Sequence, residues 1–567
     1  MTDNTNMAHQ ISRISICVAL GISLATASVL PKDSQVSNST KQWTFDEIPA
    51  STDLIWYPCF WNYSCAMLDV PLDHSKPNGT RASVPLIMIA AQSNSTDGEY
   101  QGMLLTNPGG PGNAGVDFLL EDGYLVLLPV VGKNYDIVAF DPRGMGRSIP
   151  LADCSSSSSS KLRRRNFGLS GPELDTFYWT EEFQTALQFG AECNATMGGS
   201  GEAGPHMSTA VLAADMLSIV DAFAKTERGQ DVSSSSSLNY WGFSYGSFIG
   251  ETFASMYPDR VGRFAIDGVV DPEDYISGTE LMDIYLEDAV IDSFFTYCHL
   301  AGPSLCEFYT GNSSEDIRHR FENIFLPLNA SYALAQNWTN ATTIQQSLEF
   351  IKSTVRLTAY TPIESYPILA TQLVAYEATL SNLTVAAIEA ASNIGTTTPN
   401  ITGTVPQLTE WFIGAFCGEI PSVYGNTYEE LKPHIDTIEE ESFLTGEIWA
   451  TTLVLCSGWP ITASWRYAGP FGGDTKNPIL FISNTLDPAT PIENSQRWAP
   501  RFKDAQILTI EAIGHTSMAA NNSCANEKIY RFFQTGNLPG RDSRCAVEAG
   551  PFGVTPERSV IIEKDDC

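Results

Sequence analysis

The chain has 567 residues, 43% hydrophobic and 11% aromatic, which excludes global disorder and allows a large buried core. Thirty-two basic against 65 acidic residues give a formal net charge of −33, which argues against nucleic acid or an anionic membrane surface as partner. The length admits about two to four domains, or one large α/β core carrying an insertion.

At the N-terminus Arg13 precedes the apolar run "ISICVALGISLATASVL", and Ala25-Thr26-Ala27 puts small residues at the −3 and −1 positions of a cleavage site. Residues 1–27 therefore read as a signal peptide, too short and too broken to be a membrane span. A secreted protein without a stable membrane anchor is expected. The sequon N-x-[ST] then recurs at Asn38, Asn62, Asn78, Asn94, Asn194, Asn312, Asn329, Asn337, Asn340, Asn382, Asn400 and Asn521, a density that suits a glycosylated chain. With Cys17 in the signal segment, the other cysteines fall as near neighbours along the chain. The expected pairs are Cys59–Cys65, Cys154–Cys193, Cys298–Cys306, Cys417–Cys456 and Cys524–Cys545, with Cys567 left over; spacing alone does not prove connectivity. No pair has the C-x-x-C spacing of a zinc site and no histidines cluster beside them, so no metal site is expected.

"CAMLDVPLDHSKPNG" (65–79) and "SVPLIMIAAQ" (83–92) alternate like antiparallel strands joined by a turn. "GMLLTNPGGPGNAG" (102–115) is a short apolar strand entering a glycine-rich loop, and "YDIVAFDPRGMGRS" (135–148) is a strand ending in a turn. "CSSSSSSKLRRR" (154–165) is a low-complexity loop. "STAVLAADMLSIVDAFAK" (208–225) has helical periodicity, and "RFAIDGVVDP" (263–272) is the next strand. Short apolar runs of this kind suit the centre of a mostly parallel sheet. From 273 to 470 amphipathic helices dominate, and strand character returns at "NPILFISNTLD" (477–487) and "AQILTIEAIGH" (505–515). The expected organisation is a core over 28–272, a helical insertion over 273–470, and completion of the core over 471–567.

Between the strand "SLNYW" and the helix "YGSFIGETFASMY" stands Gly242-Phe243-Ser244-Tyr245-Gly246. In G-x-S-x-G the serine occupies a strained strand-to-helix turn, and glycines relieve the crowding. The Tyr245 N–H can then bind an oxyanion. A serine nucleophile needs a base, and the base an orienting acid. Of seven histidines only His515 follows a strand in a glycine-preceded loop, "AIGHTS". Asp487 ends the strand before it, in "NTLDPATP". The order Ser244…Asp487…His515 is that of the α/β-hydrolase arrangement. "NPGGPG" (107–112) follows an early strand and lets backbone N–H groups approach a substrate; no G-K-[ST] follows, so it does not read as a phosphate loop.

The segments "CAMLDVPLDHSKP", "NPGGPGNAG", "DIVAFDPRGMGRS", "GFSYGSFIGETFASMYPDRVGRFAIDGVVDP", "AFCGEIP", "CSGWP", "NTLDPATP" and "GHTS" resemble the tripeptidyl aminopeptidase and proline iminopeptidase group of α/β-hydrolases, in family order over about residues 57–545. The "NPGGPG" form and the ending "CANEKIYRFFQTGNLPGRDSRC" resemble the tripeptidyl branch. The resemblance implies an α/β-hydrolase fold with a helical cap, and a serine exopeptidase that removes short N-terminal peptides. It implies Ser244, Asp487 and His515 as the triad, and Gly109 and Gly110 with Tyr245 around the oxyanion. It also implies an acidic anchor for the substrate ammonium, for which Glu419 in "AFCGEIP" is the candidate. Asp141 and Arg143 read as turn-stabilising. Such a mechanism needs no cofactor. The same triad also serves esterases, lactonases, cyclases and other hydrolases of small metabolites, and a glycosylated binding protein without activity is a third reading, so fold and triad leave the substrate open.

Overall fold

A computed structural model describes residues 41–92, 96–154, 172–279, 281–333, 348, 350–380, 391 and 410–554. Residues 1–27, the serine- and arginine-rich stretch, Asn38, Asn94, Asn337, Asn340, Asn382, Asn400 and Cys567 lie outside the described residues. Among the described residues ten strands form one sheet: β1 Tyr57–Cys59, β2 Tyr63–Pro71, β3 Arg81–Ile89, β4 Gly102–Asn107, β5 Tyr135–Phe140, β6 Leu238–Phe243, β7 Val261–Asp267, β8 Ile479–Leu486, β9 Gln506–Ile513 and β10 Ser543–Cys545. Their order is β1-β2-β3-β5-β4-β6-β7-β8-β9-β10. β1, β2 and β3 run antiparallel to their neighbours, and from β5 to β10 every pairing is parallel.

The parallel strands are covered on both faces, so their sequences are continuous apolar runs. Tyr240, Phe264 and Phe481 turn to one face, beneath the helices Thr209–Phe223 and Tyr245–Met256. Trp241, Phe243 and Leu480 turn to the other, beneath Tyr124–Val131 and Ser523–Thr535. This is the α/β-hydrolase fold, a mostly parallel sheet flanked by helices.

Between β7 and β8 lie the helices Glu287–Ala301, Ser314–Ala333, Pro362–Thr379, Glu410–Glu419, Tyr428–Glu441 and Gly446–Ser457, with a further helical run over 350–358. All but Glu410–Glu419 share a second core that includes Phe294, Ile351, Tyr366, Leu373, Leu431 and Leu453, whereas Trp411, Phe412 and Phe416 pack into the same core as Tyr240. The helix Pro172–Met197, which precedes β6, belongs to this second core through Trp179, Phe183 and Ala186. Trp179 stacks on Tyr428 with ring centroids 6.3 Å apart. A Cβ on Gly190 would lie 1.7 Å from the Gly458 carbonyl oxygen, so the two helices touch backbone to backbone. A boundary drawn at residue 272 therefore does not separate the two cores: Trp179 and Phe183 find their apolar cover on the insertion and not on the sheet.

Among the described residues five disulfides, Cys59–Cys65, Cys154–Cys193, Cys298–Cys306, Cys417–Cys456 and Cys524–Cys545, join the near neighbours expected from the sequence. Among the described residues no helix is long and apolar enough to cross a membrane. The asparagines of the described sequons at 62, 78, 194, 312 and 521 are exposed. Asn329 falls in the helix Ser314–Ala333.

The loop after β5 is held by buried charge. Asp141 accepts the N–H groups of Val116 (2.8 Å) and Arg147 (3.0 Å). Arg143 pairs with both oxygens of Asp215 and donates to the Pro71 carbonyl (2.6 Å), while His74 Nε2 lies 2.9 Å from Asp215. Both members of the Arg143–Asp215 pair are buried. Removing one would leave the other charge uncompensated, so Arg143→Met should cost about 3–5 kcal/mol in denaturant unfolding. Adding Asp215→Leu should recover part of that loss, and a single variant as stable as the parent would contradict this account.

Several buried acids prefer their proton. Burial pushes Asp141 up to about 6 and Asp267 up to about 7. Burial also holds Glu251 well above the usual range, and neither of its oxygens has a partner among the described residues. Above pH ~4 the unfolded chain releases protons that the native protein keeps, so stability falls as pH rises. Acids held low, such as Asp215 against Arg143, exchange their protons below this interval. The thermal midpoint should therefore be higher at pH 5 than at pH 8 by scanning calorimetry, and the reverse order would refute the assignment.

Candidate active site

Ser244 joins β6 to the helix Tyr245–Met256 with φ 56° and ψ −128°. A serine holds such a conformation only where its surroundings over-determine it. The surroundings here are backbone. The Ser244 N–H donates to the Asp267 carbonyl at the end of β7 (2.9 Å). A Cβ on Gly242 would lie 2.4 Å from the Gly246 oxygen, and one on Gly246 would lie 2.7 Å from the Asn107 oxygen. The two glycines that flank the serine are thus there for close approach, as the spacing suggests.

The loop 107–112 lies directly on this turn, since a Cβ on Gly109 would come within 2.7 Å of the Ser244 Cβ. The Gly109 N–H itself donates to Asn107 Oδ1 (2.9 Å). It is therefore committed within its own loop, which corrects the expectation that it serves an oxyanion; Gly109 contributes its missing side chain. Gly110 and Tyr245 do line the cavity over Ser244. Tyr245 opens its helix, so its N–H has no intrahelical acceptor.

Asp487 follows β8 and is fully buried. Its Oδ1 accepts from Ala489 N (3.0 Å), Thr490 N (2.9 Å) and His515 Nδ1 (2.8 Å), and its Oδ2 from Thr516 N (2.9 Å). His515 follows β9, and its Nε2 is buried with no hydrogen-bond partner among the described residues. The histidine turn is clamped from two further sides. Asn484 Nδ2 donates to the carbonyls of Gly514 (2.7 Å) and Thr516 (2.6 Å). Asp267 accepts the Ser517 N–H (2.8 Å) and its hydroxyl. The burial of Asp267, opposed by those Ser517 bonds, is what raises it to about 7.

Glu419 is not where the sequence reading puts it. It does not line the cavity that Ser244 lines. Its Oε1 accepts the N–H of Thr209, the first residue of the helix Thr209–Phe223, at 2.8 Å, and its Oε2 accepts the Thr209 hydroxyl. Thr209 Oγ1 lies 2.6 Å from the Tyr245 hydroxyl. Burial, against the Thr209 bonds, pushes Glu419 up to about 7. A helix N-terminus favours a carboxylate at this place, so Glu419 caps the helix behind the site.

The acids that do line the cavity are Asp283 and Glu287, with Arg356 beside them. Arg356 Nε donates to Glu287 Oε1 (2.8 Å). Burial pushes Glu287 up to about 7, with Arg356 opposing the rise. The remaining wall is largely apolar, from Val270, Tyr275, Phe412, Phe416 and Trp449, around a narrow cavity of about 30 Å³. No motif marks 283, 287, 356 or 360. The first three lie in helices whose sequence shows only amphipathic periodicity and Tyr360 lies in the turn before Pro362–Thr379, and the tertiary fold brings them over Ser244.

Residues 102–288 match the family described as alpha/beta hydrolase fold, and residues 441–545 match the family described as TAP-like protein. The chain is 25% identical to the tripeptidyl aminopeptidase of Streptomyces lividans over 521 residues, 88% of each chain. It is 35% identical over 214 residues to the serine protease Hip1 of Mycobacterium tuberculosis, covering 37% of this chain and 36% of that one. Carboxylesterase B of the same species is 25% identical over 501 residues, 85% of this chain and 86% of its own. Sheet order, the Ser244 turn and both family matches agree: the chain has the α/β-hydrolase fold, is similar to the tripeptidyl aminopeptidases over most of its length, and is a serine hydrolase.

Proposed function

We propose that the protein is a secreted, N-glycosylated serine aminopeptidase that releases short N-terminal peptides, with Ser244, His515 and Asp487 as its triad. The observation that carries this reading is the polarity of His515. Its Nδ1 is fastened to Asp487, while Nε2 is buried without a partner and so is available as a base. In this mechanism His515 takes the Ser244 proton as Oγ attacks the scissile carbonyl. Asp487 fixes the tautomer and stabilises the imidazolium. The N–H groups of Tyr245 and Gly110 bind the tetrahedral oxyanion, His515 returns the proton to the leaving amine, and water releases the acyl-enzyme. Side chains and backbone amides carry each step, and the partner the reading requires is a peptide. The disulfides and the exposed sequon asparagines support export through an oxidising compartment. Residues 1–27 act as the signal peptide in this reading, with no membrane anchor.

The substrate ammonium lies against Asp283 and Glu287. Arg356 already pairs with Glu287, so an ammonium bound there shares that carboxylate with the guanidinium. A second reading, an esterase or lactonase for small metabolites, draws on the aromatic wall of Phe412, Phe416 and Trp449.

Three substrates separate the readings: a free-amine tripeptide chromogenic amide, its N-acetylated twin and a short-chain aryl ester, with Ser244→Ala as blank. The free-amine amide should be cleaved far faster than its twin. Turnover confined to the ester would sink the peptidase reading in favour of the second.

An ammonium anchor must be ionised, and Glu287 sits at about 7. The ratio of kcat/KM for the free-amine amide to that for the ester cancels the titration of the triad. This ratio should rise as pH passes through about 7, then fall once the substrate amine loses its proton near pH ~8. Glu287→Gln should abolish the rise. A ratio that is flat in the unmodified protein would remove Glu287 as anchor.

A further inference from the structure

The insertion does more than roof the cavity, because one of its segments rests on the catalytic histidine. The His515 N–H donates to the Tyr360 carbonyl at 2.9 Å. The Tyr360 ring meets the imidazole edge to face, with centroids 5.1 Å apart at 74°. A Cβ on Gly514 would lie 2.7 Å from Pro362 Cδ and 3.0 Å from the Tyr360 oxygen. The turn that carries His515 is therefore pressed against residues 360–362. From Tyr360 the contacts continue into the cavity: Arg356 Nη2 donates to the Tyr360 hydroxyl at 2.9 Å, and Arg356 Nε donates to Glu287 at 2.8 Å. Glu287, Arg356 and Tyr360 are all buried, and all three line the space over Ser244.

We propose that Arg356 and Tyr360 are positioning residues that couple positive charge bound at Glu287 to the orientation of His515. The proposal rests on the triad reading given above. Without substrate, the guanidinium is the counter-ion of Glu287. A substrate ammonium arriving there competes for the same carboxylate. The guanidinium then shifts its bonding toward the Tyr360 hydroxyl, and Tyr360 transmits the shift through its ring and its carbonyl. A buried ion pair supports such exchange because neither partner can turn to water instead. The device makes an ammonium-bearing substrate a better reactant as well as a better ligand. Discrimination then appears in the chemical step, where a structure bound equally in ground and transition states gives none.

The test uses a pair of aryl phosphonates that label the active serine, one with a free α-ammonium and one N-acetylated, and compares maximal labelling rates at saturation. The unmodified protein should label faster with the charged reagent. Tyr360→Phe keeps the ring and the carbonyl but cuts the bond to Arg356. It should lower the charged-to-acetylated rate ratio about tenfold, within the span of coupling between sites. Arg356→Met should do the same, and Arg356→Lys should restore part of the ratio. Equal loss with both reagents would mean that Tyr360 is only structural, and an unchanged ratio would mean there is no coupling; either overturns the proposal. If the unmodified protein labels without preference for the charged reagent, the coupling fails while the triad stands. If neither reagent labels Ser244, the triad reading fails and takes the coupling with it.

Discussion

Ser244 is held at φ 56° by the backbone around it, and much of the rest of the fold serves that constraint. The turn fits because β6 stands between β4 and β7, so that Asn107 can close on Gly246 and the Asp267 carbonyl can take the Ser244 N–H. Both contacts come from strand ends. A sheet whose strands all finish at one edge delivers such ends to one place, and the parallel run from β5 to β10 does this. The apolar faces that bury Tyr240 and Trp241 on opposite sides keep β6 in register while its last residue is strained.

His515, the proposed base, is positioned by the same economy of means. Asp487 accepts the His515 ring nitrogen and the next main-chain N–H, while Asp267, one strand away, takes the N–H after that. Two acids from adjacent strands thus hold three successive residues. Asp487 has four donors and is fully buried, so its charge is spread over protein dipoles that do not reorganise during reaction. Asp267 lies close by and keeps its proton up to about pH 7, which spares the site a second charge under acidic conditions.

The insertion answers a different need. A serine turn at a sheet edge is open to water, and selectivity requires walls. The helices between β7 and β8 supply an apolar wall and a small set of charges; most are bound together by their own core, while Phe412 and Phe416 come from a helix packed into the sheet-side core. The helix Pro172–Met197 is recruited to that body from before β6, with glycines 190 and 458 allowing the contact. The cavity itself is lined from the loop 107–112, the Ser244 turn, the insertion and the loop after β8, which are remote in sequence.

The residues whose role depends on local backbone were legible from the sequence. Gly242, Ser244 and Gly246 declare a strained turn because only that spacing relieves it, and Asp487 and His515 declare themselves by ending apolar strands in the right order. The parallel sheet was legible for the same reason, since strands covered on both faces must be apolar throughout. What depends on approach through space was not. Glu419 has the composition of an anchor, but the helix end at Thr209 claims its carboxylate. The Gly109 amide is claimed by Asn107. Glu287, Arg356 and Tyr360 carry no local signal, because a helical periodicity records which face is buried and not what it is buried against. The sequence by itself pointed to Ser244, His515 and Asp487 as the proposed nucleophile, base and acid. Only the tertiary structure decided which charges face them, because helix packing over a sheet edge is set by contacts between segments hundreds of residues apart.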